Sequence, residues 1–495
     1  MRRWGLVGIL VITAIWGGWT LFQRHRASQQ AKAEAEWSAA YQHVTELFYQ
    51  GEYATAEKSF TDILPNAENW YPNDRRLAEL LSMLGTSYRM DHKYEQAEPL
   101  LKRALKVYEK ISPSDLLGTE HTELTLGGIY LDREDYPSAE RYFSEALSIS
   151  ERAPGGPKYE RGNALLNLGY IRVAQGRYLD AEQLLNRSVE ALASDSMPWA
   201  QRDLANASYH LGVVYAMEDR YPEAKQQYLK ALEIQEKVLG PNSRDVGLTF
   251  QGLGQAYRAE GNTSKATELL NRAQEIAQRS SATDNDSRAH VLVDLGETAQ
   301  DAGKFTEAES LYKRAIHIYE KTVGPENPDL ARALLYLGCL YRDEERFDIA
   351  KAGPLLERAL AIREKALGPD HPGTANALSN LSLLDFYEHK FGEAEHFAER
   401  ALPIEEKAYG PESLAVSTTL NRLGIAERDL KKFTQAETAL NRALTIRQNN
   451  LPSNHLWIAV SLENLASVYL AQGQYEKAAP LIKRAQSIRS HSSAS

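Results

Sequence analysis

A single cysteine in 495 residues excludes two kinds of construction at once. Cys339 can form no internal disulfide framework, and there is no cysteine cluster to hold zinc. Positive charge is also short. The net charge is −10, and the acid-free stretch 1–26 holds Arg2, Arg3, Arg24 and Arg26, so the remainder carries −14. Such a body repels phosphate backbones, and no nucleic-acid partner is expected. Catalytic motifs are missing as well: there is no HExxH and no GxSxG. Gly155-Gly156-Pro157-Lys158 lacks the leading glycine of a phosphate loop, and Tyr159 replaces its hydroxyl residue. Gly261-Asn262-Thr263-Ser264-Lys265 falls in a turn. His389 and His396 straddle the turn at Phe391-Gly392, so nothing aligns them as ligands. Glutamates such as Glu405-Glu406 fall on faces that helical phase places in water. The sequence therefore assigns no catalytic residue, no metal and no cofactor, and it does not read as an enzyme.

The chain does have one long apolar run. Trp4–Phe22 (WGLVGILVITAIWGGWTLF) is uncharged, and nineteen residues in a helix span roughly 28 Å, close to the ~30 Å hydrocarbon core of a bilayer. Trp4 and Trp19 stand near its ends, where interfacial rings are favoured. A cleaved signal peptide is the rival reading. It wants a shorter core and a small-residue cut site, whereas this core runs straight into Gln23-Arg24-His25-Arg26. The expectation is a single-pass anchor with basic flanks at 1–26 and a juxtamembrane segment at 27–36. Basic residues flank the run almost evenly, so orientation rests on the short Arg2-Arg3 tail. That tail favours a bacterial inner membrane with the body exported.

Beyond it a pattern repeats every 42 residues, with one step of 43 and one of 44. Leucine followed by glycine recurs at Gly85, Gly127, Gly169, Gly212, Gly254, Gly296, Gly338 and Gly424, with Ser382 and Ala466 in the same register. Twelve residues later comes alanine: Ala97, Ala139, Ala181, Ala224, Ala266, Ala308, Ala394, Ala436 and Ala478. Ala352 arrives two residues late. An additional front copy keeps Gly51, Tyr53, Ala56 and Phe60, which makes about eleven units over 37–490. Ala139, Phe143 and Ala146 share one helical face, as do Ala308, Tyr312 and Ala315. Strand alternation is absent. A glycine inside a helix costs ~1 kcal/mol relative to alanine, so its recurrence implies close helix–helix approach. Four units end in Gly-Pro: EKVLGPNS from Glu236, EKTVGPENP from Glu320, EKALGPDHP from Glu364 and EKAYGPES from Glu406. A glycine with positive φ and a proline that forbids continuation explain the stop. His371 then reads as turn chemistry, since Asn327 and Ser243 replace it elsewhere. The linker Ser280–His290 lacks Gly-Pro and marks a looser joint, and residues 491–495 form a disordered polar tail.

Small residues at fixed intervals with Tyr or Phe between them resemble the tetratricopeptide repeat, and the 42-residue spacing resembles its kinesin light chain form. The resemblance implies an all-α, right-handed superhelical solenoid of helix-turn-helix units whose concave groove binds a segment of a partner protein. Groove candidates lie on the first helix of each unit. Four residues after the small residue come Arg89, Arg258, Arg342 and Arg428. Two residues before it come Asn167, Asn380 and Asn464, with Asn163 and Asn376 nearly one turn earlier. Arginine takes carboxylates bidentately and asparagine pairs with extended backbone, and the resemblance to kinesin light chain grooves implies an acidic segment as the ligand. Asp343 and Asp429 follow Arg342 and Arg428 and stand ready to neutralise them locally. The expected function is a membrane-tethered interaction scaffold. The alternatives are a self-associating platform, with Ala14 and Gly18 as a small-xxx-small pair in the anchor, and a secreted or periplasmic form after signal cleavage.

Overall fold

A computed structural model describes residues 28–29, 31–32, 34–48, 52–111, 116–133, 135–152, 158–279, 285–322, 324–343 and 348–492. Among these residues every regular element is a helix and no strand occurs. None of these helices is long and apolar enough to cross a membrane. The expected anchor, Trp4–Phe22, lies outside the described residues.

The helices pair as the register requires. In the unit around Gly254, for example, Arg244–Ala259 is the first helix and Thr263–Arg279 the second. Every alanine of the second-helix signature, from Ala97 to Ala478 and including the displaced Ala352, has no exposed surface. The glycine explains why. A Cβ on Gly254 would stand 2.7 Å from Leu270 Cγ, and one on Gly127 2.8 Å from the Phe143 ring. On Gly296 it would lie 2.5 Å from Tyr312. The residue sixteen positions on thus fills the space that a side chain would need. In the displaced unit Gly338 instead meets Leu356, 2.8 Å away.

Two turn chemistries separate the helices. Inside a unit one residue takes a left-handed conformation, as with Gly176 at φ 71° and Lys431 at φ 62°. Between units Gly368 has φ 92° and ψ 161°, and Gly410 has φ 85° and ψ 152°. That region is open essentially to glycine alone. The residue three further on then caps the next helix. His371 Nδ1 accepts from the Gly373 amide at 3.0 Å, and Ser413 Oγ accepts from Val416 at 3.4 Å. Asn327 Oδ1 accepts from the Asp329 amide at 2.6 Å. These side chains satisfy amides that a helix start leaves without partners.

The chain divides into two compact units, Met1–Val238 and Leu239–Ser495. The division falls in the EKVLGPNS linker, and Ser280–His290, read from the sequence as a loose joint within one array and not as a domain boundary, lies inside the second unit. Arg288 bridges the two helices there. Its Nε donates to the Ala277 carbonyl at 2.7 Å and its Nη2 to the Gln278 carbonyl at 3.0 Å. It thereby ties Asn285–Asp301 to the end of Thr263–Arg279 without a Gly-Pro. Within each compact unit, successive first helices pack on one another as well as on their second helices. The first helices therefore form the inner layer. The last helix, Tyr475–Ser492, reaches into the stretch expected to be a polar tail.

Candidate partner-binding face

The inner layer brings one residue position from each unit alongside its counterpart in the next, so partners lie about one repeat apart in sequence. Arg89 Nε donates to Asp132 Oδ2 at 3.1 Å. Arg258 holds Glu297 at 2.7 Å and Asp301 at 3.1 Å. Arg428 takes both oxygens of its neighbour Asp429, at 2.8 and 2.7 Å, and reaches Ser467 Oγ at 2.8 Å. Arg342 is buried; it pairs with Asp343 at 2.5 and 2.6 Å and donates to the Asn380 carbonyl at 3.1 Å. All four expected arginines thus join neighbouring units or their own aspartates.

The asparagines are engaged in the same way. Asn163 Nδ2 donates to Asp203 Oδ2 at 2.8 Å, and Asn167 Nδ2 donates to the Asn163 carbonyl at 2.8 Å. Asn380 Nδ2 donates to the Asn376 carbonyl at 2.9 Å, while its Oδ1 accepts from Arg342 at 3.0 Å. Asn464 Nδ2 donates to Asn421 Oδ1 at 3.2 Å. Asn376 Oδ1 accepts from Arg363 at 3.3 Å. Two of the expected classes, arginine and asparagine, meet each other at Arg342–Asn380.

Other residues of the same face escape the sequence reading. Asp294 and Glu297 are buried, and Arg332 Nη2 binds both, at 2.6 and 2.8 Å. Gln251 and Gln255 donate to Asp294 Oδ2 at 2.5 and 2.9 Å. Burial raises the Glu297 pKa, against the Arg258 and Arg332 charges. For Arg332, burial opposes the charge but Asp294 and Glu297 outweigh it. In Met1–Val238, burial pushes His210 down to about 4. Asp294, His210 and Arg422 all occupy the register two before the small residue. Reading that position in every unit, and not only where it is asparagine, would have found them.

One glutamate corrects an expectation. Glu405 is buried and not in water, and burial pushes its pKa up to about 7.

Arg422 differs from the other arginines of the face. Its Nη1 donates to the Ser379 carbonyl and hydroxyl, each at 2.5 Å, and among the described residues it forms no ion pair. Burial and then the Arg342 charge push its pKa down to about 10. Arg447, near enough to feel the Arg422 charge, donates to Ser417 Oγ, the Trp457 carbonyl and Ser461 Oγ, at 3.2, 3.1 and 2.9 Å. Burial, with Arg422, also brings its pKa to about 10.

The tetratricopeptide repeat model matches residues 39–110, 118–194, 203–279, 287–352, 344–407, 384–449 and 415–490. The chain belongs to the tetratricopeptide repeat family. Among solved structures it is similar to BtubC (BKLC) from P. vanneervenii, at 26% identity over 47% of this chain and 93% of that one, TM-score 0.40. A Podospora anserina kinesin light chain of nearly identical TPR-like repeats is 24% identical over 43% of this chain and 99% of its own, TM-score 0.35. The apo quorum sensor NprR from B. thuringiensis is 14% identical over 74% of this chain and 97% of its own, TM-score 0.56. The sequence matches none of the curated proteins.

Proposed function

We propose that this tetratricopeptide repeat chain is a protein–protein interaction scaffold whose inner face in Leu239–Ser495 takes an acidic, extended segment of a partner protein. Membership in a family of stacked helical hairpins supports the scaffold, and the observation that carries the ligand class is Arg422. A guanidinium whose hydrogen-bond partners are neutral, which stands beside a second cation and feels Glu405 and Asp343 only at a distance, is under-compensated. A carboxylate brought to it relieves the desolvation and the repulsion together, and it gains charge-assisted hydrogen bonds. Arg447 adds to the positive field. Arg89, Arg258, Arg332, Arg342 and Arg428 already hold carboxylates, so they shape the surface and Arg422 anchors the ligand. Residues 4–22 tether the scaffold to a membrane, which confines partner encounter to that surface.

The test is fluorescence anisotropy with a labelled extended peptide carrying three glutamates, set against the same peptide with glutamines. Binding should prefer the glutamates, weaken with salt, and fall at least roughly tenfold in Arg422→Gln. Arg428→Gln, whose wild-type arginine is already paired, should lose much less. Equal affinity for the two peptides, or an Arg422→Gln variant that binds as well as wild type, contradicts the acidic-ligand reading. Protease accessibility in intact spheroplasts tests the tether and its orientation.

A further inference from the structure

Asp286 and His290 lie one turn apart on Asn285–Asp301, and Asp329 lies in the first turn of Pro328–Asp343, the first helix of the next repeat. One possible ligand atom from each lies within 4.8 Å of the other two. The imidazole is oriented by its own helix: Nδ1 sits 3.1 Å from the Asp286 carbonyl oxygen. A carbonyl oxygen only accepts, so Nδ1 carries a proton, and in the neutral ring Nε2 presents its lone pair. Nε2 faces Asp329 Oδ1 at 3.3 Å, and an ionised carboxylate oxygen also only accepts. Two acceptors in contact call for a cation between them. A proton can fill that role for this pair, but it leaves a third atom unexplained. Asp286 Oδ1 is buried and accepts no hydrogen bond, a costly condition for a carboxylate oxygen.

We infer that Asp286, His290 and Asp329 form a divalent-metal site that joins two successive repeats of Leu239–Ser495. One metal ion answers to all three side chains together, since it takes the Nε2 lone pair, Asp329 Oδ1 and a carboxylate oxygen of Asp286. An imidazole whose other nitrogen donates to a backbone carbonyl is the usual arrangement of a metal-bound histidine. One imidazole with two carboxylates is a borderline ligand set, which suits Zn²⁺ or Mn²⁺ better than Ca²⁺. Three protein ligands leave further positions open to water. The Tyr319 ring, edge-on to His290 at 5.7 Å, walls one side. Arg332 is occupied by Asp294 and Glu297. Asn327, by capping the Asp329 amide, fixes the helix start that presents Asp329. The ion would act as a staple between units that otherwise hold by packing.

The experiment is calorimetric titration of the full chain with Zn²⁺ in phosphate-free buffer, beside thermal melts with and without the ion. Wild type should show one saturable site per chain and a raised melting midpoint, because the ion binds only the folded arrangement. His290→Gln should lose affinity by at least roughly tenfold and abolish the midpoint rise. Asp286→Asn, which keeps the shape of the side chain, should do the same with an unchanged circular dichroism spectrum. This second variant stands if the first fails to fold. His317→Gln, which removes an exposed histidine of Phe305–Thr322 that is not one of the three ligands, should bind as wild type does. Absence of a saturable wild-type site overturns the inference. So does a site that survives both His290→Gln and Asp286→Asn. Neither result bears on the Arg422 peptide assay.

Discussion

At the scale of the residue, the molecule turns on what glycine leaves out. An alanine in place of a mid-helix glycine ordinarily gains ~1 kcal/mol. At Gly254 the sign reverses, because the new Cβ would lie 2.7 Å from Leu270 Cγ, and that atom is too near its own backbone to swing aside. Gly254→Ala should therefore destabilise by ~1–3 kcal/mol, read as a lower urea midpoint at constant slope. An unchanged or higher midpoint would show that the helices can separate without loss. One of the two natural exceptions, Ser382, follows the same rule. Where Ser382 replaces glycine, the position sixteen residues on is Ala398, not a leucine or an aromatic, and the serine hydroxyl donates to the Ala394 carbonyl at 2.7 Å. This layer was fully legible from sequence, because a packing constraint within one unit is written at a fixed offset.

At the scale of the element, the sequence was legible where one helix explains itself and less so where two units share a task. Gly368 and Pro369 announce a helix end in any context, and His371, Asn327 and Ser413 are capping residues by chemistry and position. The inner face is different. Arg89 finds Asp132, and Arg258 finds Asp301, at separations of 43 residues. Those pairings appear only when units are stacked and read across. Asp286, His290 and Asp329 are invisible to a search for spaced ligands for the same reason. Across Ser280–His290, which lacks a Gly-Pro, one side chain makes the connection, and only the paired helices reveal it. Arg288→Ala should free the Ala277 and Gln278 carbonyls at a cost of about 1–3 kcal/mol. Hydrogen exchange should then quicken at the end of Thr263–Arg279, while Tyr475–Ser492 stays unchanged. Uniform protection along the chain would mean that Arg288 is not what holds the joint.

At the scale of the whole molecule, stability is a sum of units and their interfaces, and several of those interfaces enclose acids. Glu120, Glu405 and Glu427 are buried, and each has its pKa pushed up to about 7, by burial first. Neighbouring glutamates add to the shift, Glu160 at Glu120 and Glu395 at Glu427. Glu98 is the counterexample, held at about 2 by hydrogen bonds from Lys102, Tyr130 and Arg133. The signs differ accordingly. Glu98 contributes stability that is present above the unfolded value of 4.5 and is lost as pH falls toward 2. The three buried glutamates bind a proton more tightly in the folded chain. Their contribution is complete below 4.5 and is lost as pH rises through about 7. A displacement from 4.5 to about 7 is worth at most ~3 kcal/mol per group. The wild-type melting midpoint should therefore fall between pH 5 and pH 8. Glutamine mimics the protonated acid, so the triple variant Glu120→Gln, Glu405→Gln, Glu427→Gln should flatten that fall and melt higher than wild type at pH 8. Hydrogen exchange at pH 8 should show Phe391–Tyr409 and Leu414–Asp429, which carry two of the three acids, opening before Tyr94–Ile111, which carries Glu98. A wild-type midpoint level across that range, or a slope that the triple variant leaves intact, would mean that these carboxylates meet water in the folded chain.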